Sequence, residues 1–192
     1  MVLQSKKQVR LEILHNRNKF LERHSANLVI NQRFQHFILP LLQSKDTIGA
    51  YYPINSELDI LPILTNLFNA DFNISLPVIS DLNEINFYPW HQQGKLQTSR
   101  YASDILEPLE QKVIILPSVI IAPLTACDIH GNRIGSGRAM YDKYIHNLKH
   151  KVLYIGLCYD FQLLDKVPTQ AHDQPLDLIL TDKRFINNLQ LE

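Results

Sequence analysis

The chain has 192 residues, 45% hydrophobic and 20% charged, which leaves room for one well-buried core and excludes collagen-like, low-complexity and disordered chains. Lys plus Arg and Asp plus Glu each count 19, so the molecule lacks the whole-body field of a non-specific nucleic-acid binder. The balance is uneven: residues 1–33 carry seven Lys/Arg against Glu12 and Glu22, a basic arm on a mildly acidic body.

From about Ser5 to Leu42, apolar residues such as Val9, Ile13, Phe20, Leu28 and Phe34 recur at three- and four-residue spacings. No proline intervenes before Pro40, which predicts two helices. Thr47–Tyr52 is β-branched and aromatic and stops at Pro53, a strand followed by a loop over Ile54–Glu57. Helical spacing returns over Leu58–Phe68, and short strands are predicted at Phe72–Pro77 and Ile85–Trp90, the latter ended by a polar turn at His91–Gly94. Tyr88 and Trp90 alternate on that strand and read as core. Val113–Leu116 and Val119–Ala122 are continuous β-branched runs, the mark of strands covered on both faces. Arg138–Lys149 reads as a helix and Val152–Tyr159 as a buried strand, and Leu176–Leu180 closes the series.

This alternation predicts one three-layer α/β/α domain over residues 1–192, Rossmann-like, with a mostly parallel sheet behind an N-terminal helical segment. Ligands then bind beyond the carboxyl ends of the strands. The longest greasy stretch, Val113–Leu124, is broken by Pro117 and Ser118, and the amino end lacks an apolar leader core, so a cytoplasmic chain without a membrane partner is expected. Cys127 and Cys158 show no CxxC spacing and read as reduced, buried thiols.

The densest chemical signal runs from His130 to Asp142, between a buried strand and a helix, where three of the six glycines fall: Gly131, Gly135 and Gly137. A glycine turn feeding a helix N-terminus offers unpaired N–H groups to an anion, and Arg133 and Arg138 add charge. The pattern fits a phosphate cradle and fits equally a tight strand-to-helix turn with solvated arginines. It is neither GxxxxGK[ST] nor a complete GxGxxG, whose last position is Met140. Asp142, Asp173 and Asp177 read either as ordinary helix and loop acids or, beside a phosphate, as Mg²⁺ ligands. Lys6 and Arg10, four apart, share one helix face, solvated or facing an anion. Glu57 stands at the rim where the sheet opens, as a helix-terminal charge or a ligand contact.

The segment Gly131-x-Arg133-Ile134-Gly135-x-Gly137-x-x-x-Tyr141-Asp142 resembles the ATP-binding signature of the 5-formyltetrahydrofolate cyclo-ligase (methenyltetrahydrofolate synthetase) family. The likeness extends over nearly the whole chain, through Ser56-Glu57-Leu58-Asp59, Leu76-Pro77, Ile105-Leu106-Glu107-Pro108, Pro123 with Cys127-Asp128, and Gly156-Leu157-Cys158-Tyr159. It continues through Gln162, Pro168, His172-Asp173 and Thr181. What it implies is an ATP- and Mg²⁺-dependent ligase that cyclises 5-formyltetrahydrofolate, free or polyglutamylated, to 5,10-methenyltetrahydrofolate, releasing ADP and phosphate. A monomer is expected, and the balanced net charge argues against a nucleic-acid partner. By resemblance, Lys6, Arg10, Arg133, Gly135, Ser136, Gly137, Arg138, Ala139 and Tyr141 meet ATP, and Glu57, Met140 and Tyr141 meet the folate. Asp142 and Asp173 hold Mg²⁺, and no side chain acts as a covalent nucleophile.

Two residues depart from the family pattern: Ala139 replaces the third glycine of the loop and Met140 the first of two aromatics. A working enzyme is expected to hold Ala139 at negative φ, inside the first turn of the following helix, with Arg138 facing the phosphates. The other reading is a degenerate member that binds nucleotide or RNA, the latter through the basic arm, without turnover.

Overall fold

Residues 5–81, 84–92, 94–101, 103–109 and 113–189 are described by the computed structural model; the ends of the expected 1–192 domain and Gln93 of the expected turn lie outside the described residues. Ser5 starts helix α1 (Lys6–Lys19) with a capping box, its hydroxyl accepting from the Gln8 amide while the Gln8 side chain accepts from the Ser5 amide. In chain order there follow α2 (Arg23–Phe37), β1 (Thr47–Gly49), α3 (Leu61–Asn69), β2 (Asn73–Ile79), β3 (Ile85–Pro89), β4 (Leu96–Thr98) and β5 (Leu106–Pro108). The second half contains β6 (Val119–Ala122), β7 (Ala126–Asp128), β8 (Arg133–Ile134), α4 (Met140–Asn147), β9 (Leu153–Leu157), β10 (Leu163–Leu164), β11 (Leu178–Leu180) and β12 (Phe185–Asn187).

The main sheet has the order β12-β11-β9-β6-β1-β2-β3. Its five inner strands are parallel, and β12 and β3 run antiparallel at the two edges. Side-chain alternation builds the layers. On β6, Val119 and Ile121 enter the core under α2 and α3 with Ile30, Phe34 and Leu64, while Ile120 and Ala122 enter the opposite core under α4 with Tyr144 and Ile145. Helix α1 lies apart from both. Val9 and Ile13 pack on Ala126 and Ile134 of a small second sheet, β10-β7-β8. The mixed α/β architecture with a mostly parallel central sheet is therefore as expected.

Several local expectations are corrected. Val113–Leu116 is not a covered strand: Val113, Ile114 and Leu116 are exposed, and the run meets the sheet through a bridge from Ile115 to Phe87 and a hydrogen bond from the Thr47 hydroxyl to the Leu116 carbonyl. Leu176–Leu180 does not close the series, because β12 returns antiparallel to β11. The expected helix at Arg138–Lys149 is the shorter α4. Tyr88 and Trp90 are core, and Cys127 and Cys158 are free and fully buried with their Sγ atoms 3.8 Å apart. No helix among the described residues is long and apolar enough to cross a membrane.

Candidate active site

A cavity of about 500 Å³ opens where the loops after β1, β6 and β8 meet α1, a size usual for a small-molecule site. Its wall contains every residue assigned a role by resemblance: Lys6, Arg10, Glu57, Arg133, the run from Gly135 to Asp142, and Asp173. Asp177 is elsewhere, its carboxylate accepting from the Tyr154 amide at 2.7 Å to hold β9.

One end is cationic. The Lys6 ammonium donates to both oxygens of Asp173, at 2.6 and 2.7 Å, and Arg10 Nε donates to the Gly135 carbonyl at 2.8 Å. The amides of Gly135 to Ala139 find no acceptor among the described residues. Five such N–H groups in sequence, beside two cations and the start of α4, are an arrangement that could hold an anion. Gly137 lies at φ 106° against the Arg10 guanidinium, where a Cβ would be 3.4 Å from it, so both conformation and space favour glycine.

Ala139 contradicts its expectation: it sits at φ 51°, in the left-handed region, as the N-cap residue of α4 and not inside the first turn. The loop keeps the backbone path that a glycine would take there, and tertiary constraint overrides alanine's helical preference. Left-handed alanine costs about 1–2 kcal/mol, of which glycine's larger unfolded-state entropy returns roughly 0.4–1. Ala139→Gly is therefore expected to stabilise the fold by about 1 kcal/mol, read as a higher urea midpoint at unchanged slope. A lower midpoint would show that the residue is unstrained. Arg138 packs its guanidinium over the Tyr101 ring, 5.1 Å from the centroid, at the wall of the same cavity.

Asp142, in the first turn of α4, accepts from Arg133 Nη2 at 2.9 Å and from the Gln174 amide at 3.2 Å, both on Oδ1. Oδ2 takes no bond among the described residues. Arg133 is buried, also bonds the Pro123 carbonyl, and lies beneath Asp142 in the wall, so it acts first as the counter-charge of that carboxylate. The Tyr141 hydroxyl is buried without a hydrogen-bond partner, and burial drives its pKa far up, so it is a donor in waiting.

The other end is mixed apolar and acidic. Glu57 accepts from the Ile54 amide at 3.1 Å, among Tyr51, Tyr52, Pro77 and Ile79. Burial pushes its carboxyl above the usual range; the Ile54 amide and Arg17 pull it down, and Asp104 pushes it up. Sequence reasoning missed Arg17, Tyr51 and Asp104 as wall residues. The basic arm is largely spent inside the fold: besides Lys6 and Arg10, Arg17 bonds Ser56, Arg23 the Arg17 carbonyl and Arg33 the Thr181 carbonyl.

Residues 2–182 match the model of the 5-formyltetrahydrofolate cyclo-ligase family. The 5-formyltetrahydrofolate cyclo-ligase of Escherichia coli is 32% identical over 145 residues, covering 72% of this chain and 79% of its own. That of Mycolicibacterium smegmatis is 29% identical over 192 residues, covering 95% and 96%. The NMR structure of Aquifex aeolicus 5,10-methenyltetrahydrofolate synthetase matches with a TM-score of 0.82 at 26% identity, over 97% of this chain and 94% of that one.

Proposed function

The chain belongs to the 5-formyltetrahydrofolate cyclo-ligase family, and from that premise we propose that its cavity converts 5-formyltetrahydrofolate and ATP to 5,10-methenyltetrahydrofolate, ADP and phosphate. The observation that carries this reading is the two-ended cavity. Unbonded amides and cations at one end suit a triphosphate, and a half-buried carboxylate among aromatic and apolar side chains at the other suits a pterin with N–H donors.

In the substrate the N5 lone pair is delocalised into the formyl carbonyl, so the carbon is a poor electrophile and its oxygen a poor leaving group. Transfer of the γ-phosphoryl group from ATP to that oxygen releases ADP and gives a phosphate ester; N10 attacks the carbon, the C–O bond breaks, and phosphate departs carrying the proton lost from N10. The chain supplies position and charge, as phosphoryl-transfer sites generally do. Lys6, Arg10, Arg138 and the loop Gly135-Ser136-Gly137 with Ala139 hold the phosphates, and Arg133 adds its positive charge from behind Asp142. Glu57, Met140 and Tyr141 hold the folate, the Tyr141 hydroxyl also reaching ATP.

Among the described residues no group of three or more His, Cys, Asp or Glu side chains could hold a metal alone. Mg²⁺ takes only one or two carboxylates beside phosphate and water, and Asp142, with its unbonded Oδ2, and Asp173 share the wall with the phosphate cradle, so this donor set fits. Asp142 and Asp173 would hold such a cation, and the chemistry it would supply is neutralisation of charge on the phosphates. Lys6 then exchanges Asp173 for phosphate. We place this activity in the cytoplasm, where buried thiols such as Cys127 and Cys158 stay reduced.

Mixing the protein with 5-formyltetrahydrofolate, ATP and Mg²⁺ and following the absorbance of the methenyl product tests the reading: product is expected only with all three, and its absence would refute turnover. Alanine at both Lys6 and Arg10 is expected to raise the KM for ATP at least about tenfold. Because the two side chains bond the Asp173 and Gly135 loops, the double variant should also lose on the order of 1 kcal/mol of stability, beyond the tenths due to solvated helix charges. An unchanged KM for ATP would take both out of the site.

A further inference from the structure

Arg17 has no part in the chemistry above, yet it lies on the cavity wall with Lys6 and Arg10, from the same face of α1. It is 6% exposed. Its Nε donates to Ser56 Oγ at 3.1 Å and its Nη1 to the Leu124 carbonyl at 3.4 Å. Ser56, itself buried, directly precedes Glu57, and Glu57 closes its own turn by accepting from the Ile54 amide. The turn that carries the carboxylate is thus latched locally on one side and pinned to α1 on the other.

We propose that Arg17 is a positioning residue for folate recognition: without touching substrate, it fixes the Ser56-Glu57 turn and sets a permanent positive charge behind the Glu57 carboxylate. The inference rests on the reading that Glu57 meets the pterin. A pterin entering this end removes further water from a carboxylate already half buried, and such a group takes up a proton unless a fixed cation stands near. Protonated, it offers a donor where the N–H edge of a pterin needs acceptors. The groups that act on Glu57 are Arg17 from α1, the Ile54 amide from its own turn, and Asp104 from the loop before β5; the Tyr51 and Tyr141 hydroxyls, which it in turn raises, are kept neutral by burial. Asp104 opposes the charge and Arg17 is the cation that sustains it. Arginine suits this place because its planar fork bonds Ser56 and the Leu124 carbonyl at once and stays charged when buried.

The test compares Arg17→Gln, which keeps a donor for Ser56 but loses the charge, with Arg17→Lys, in wild-type and Glu57→Gln backgrounds. The dissociation constant of 5-formyltetrahydrofolate is measured from about pH 8 to about pH 5.5, with ATP affinity as the control. Arg17→Gln is expected to weaken folate binding about tenfold at neutral pH, increasingly on acidification, with ATP affinity unchanged. Lysine should restore an acid-insensitive profile, and in the Glu57→Gln background Arg17→Gln should add less than about twofold. An equal loss in both backgrounds, or a lysine variant as acid-sensitive as the glutamine one, would overturn the proposal. Should the glutamine variant not fold, lysine decides: acid-sensitive folate binding in it refutes the role. If Glu57→Gln alone leaves folate affinity intact, the assignment of Glu57 fails instead, whatever Arg17 does.

Discussion

Asp142→Asn is expected to bind both substrates and turn over at least about 10²-fold more slowly, a loss of about 3 kcal/mol of transition-state stabilisation. The amide keeps an oxygen for Arg133 and the Gln174 amide, both of which use one carboxylate oxygen, so the start of α4 should hold its shape. What it loses is charge. A neutral amide is a poor Mg²⁺ ligand, so on the proposed reading a cation beside the γ-phosphoryl group would be held less well. The structure adds a cost that the sequence did not disclose: Arg133 is buried, and Asp142 is its anion. The variant should therefore also lose about 1–3 kcal/mol of stability, and turnover must be read well below its melting temperature. Near-normal kcat at saturating Mg²⁺ would remove the metal role.

Glu57→Gln should separate binding from stability. Folate affinity is expected to fall about 10- to 200-fold, the equivalent of one charge-assisted hydrogen bond of about 1.5–3 kcal/mol, with ATP affinity unchanged. The melting temperature should move the other way. Burial raises the folded-state pKa of Glu57 above its unfolded value, so its favourable contribution to folding is complete below the unfolded pKa and is lost as pH rises through the folded one. At neutral pH the wild type thus carries a buried charge that glutamine lacks, and Glu57→Gln should melt higher. The gap should close on acidification to about pH 3, below the unfolded pKa, where the carboxyl is neutral in both states. A variant that melts lower at neutral pH and binds folate normally would contradict both halves.

The sheet was readable where runs were long and strongly patterned. Val119–Ala122 announced a strand covered on both faces, and β6 is one. Strands β7, β8 and β10 span two or three residues each and carry no periodicity of their own, so the small sheet that seats α1 had no local signal. The exposed run Val113–Leu116 misled for the opposite reason, since apolar composition marks a candidate for burial and not its location. In the site, the glycine loop, Lys6, Arg10 and Asp142 were visible from spacing and resemblance. Arg17 was not, because the basic arm reads the same whether its cations are solvated or buried, and Ser56 is 39 positions away. The left-handed Ala139 was likewise out of reach: alanine prefers the helix, and only the surrounding loop imposes φ 51°.

If ATP activates the formyl oxygen as a phosphate ester, that oxygen must leave in the phosphate. With 5-formyltetrahydrofolate carrying ¹⁸O in the formyl group, the phosphate released with each methenyl product is expected to contain the label, with ADP formed in equal amount. Methenyl product formed without ADP, or phosphate free of label, would contradict it.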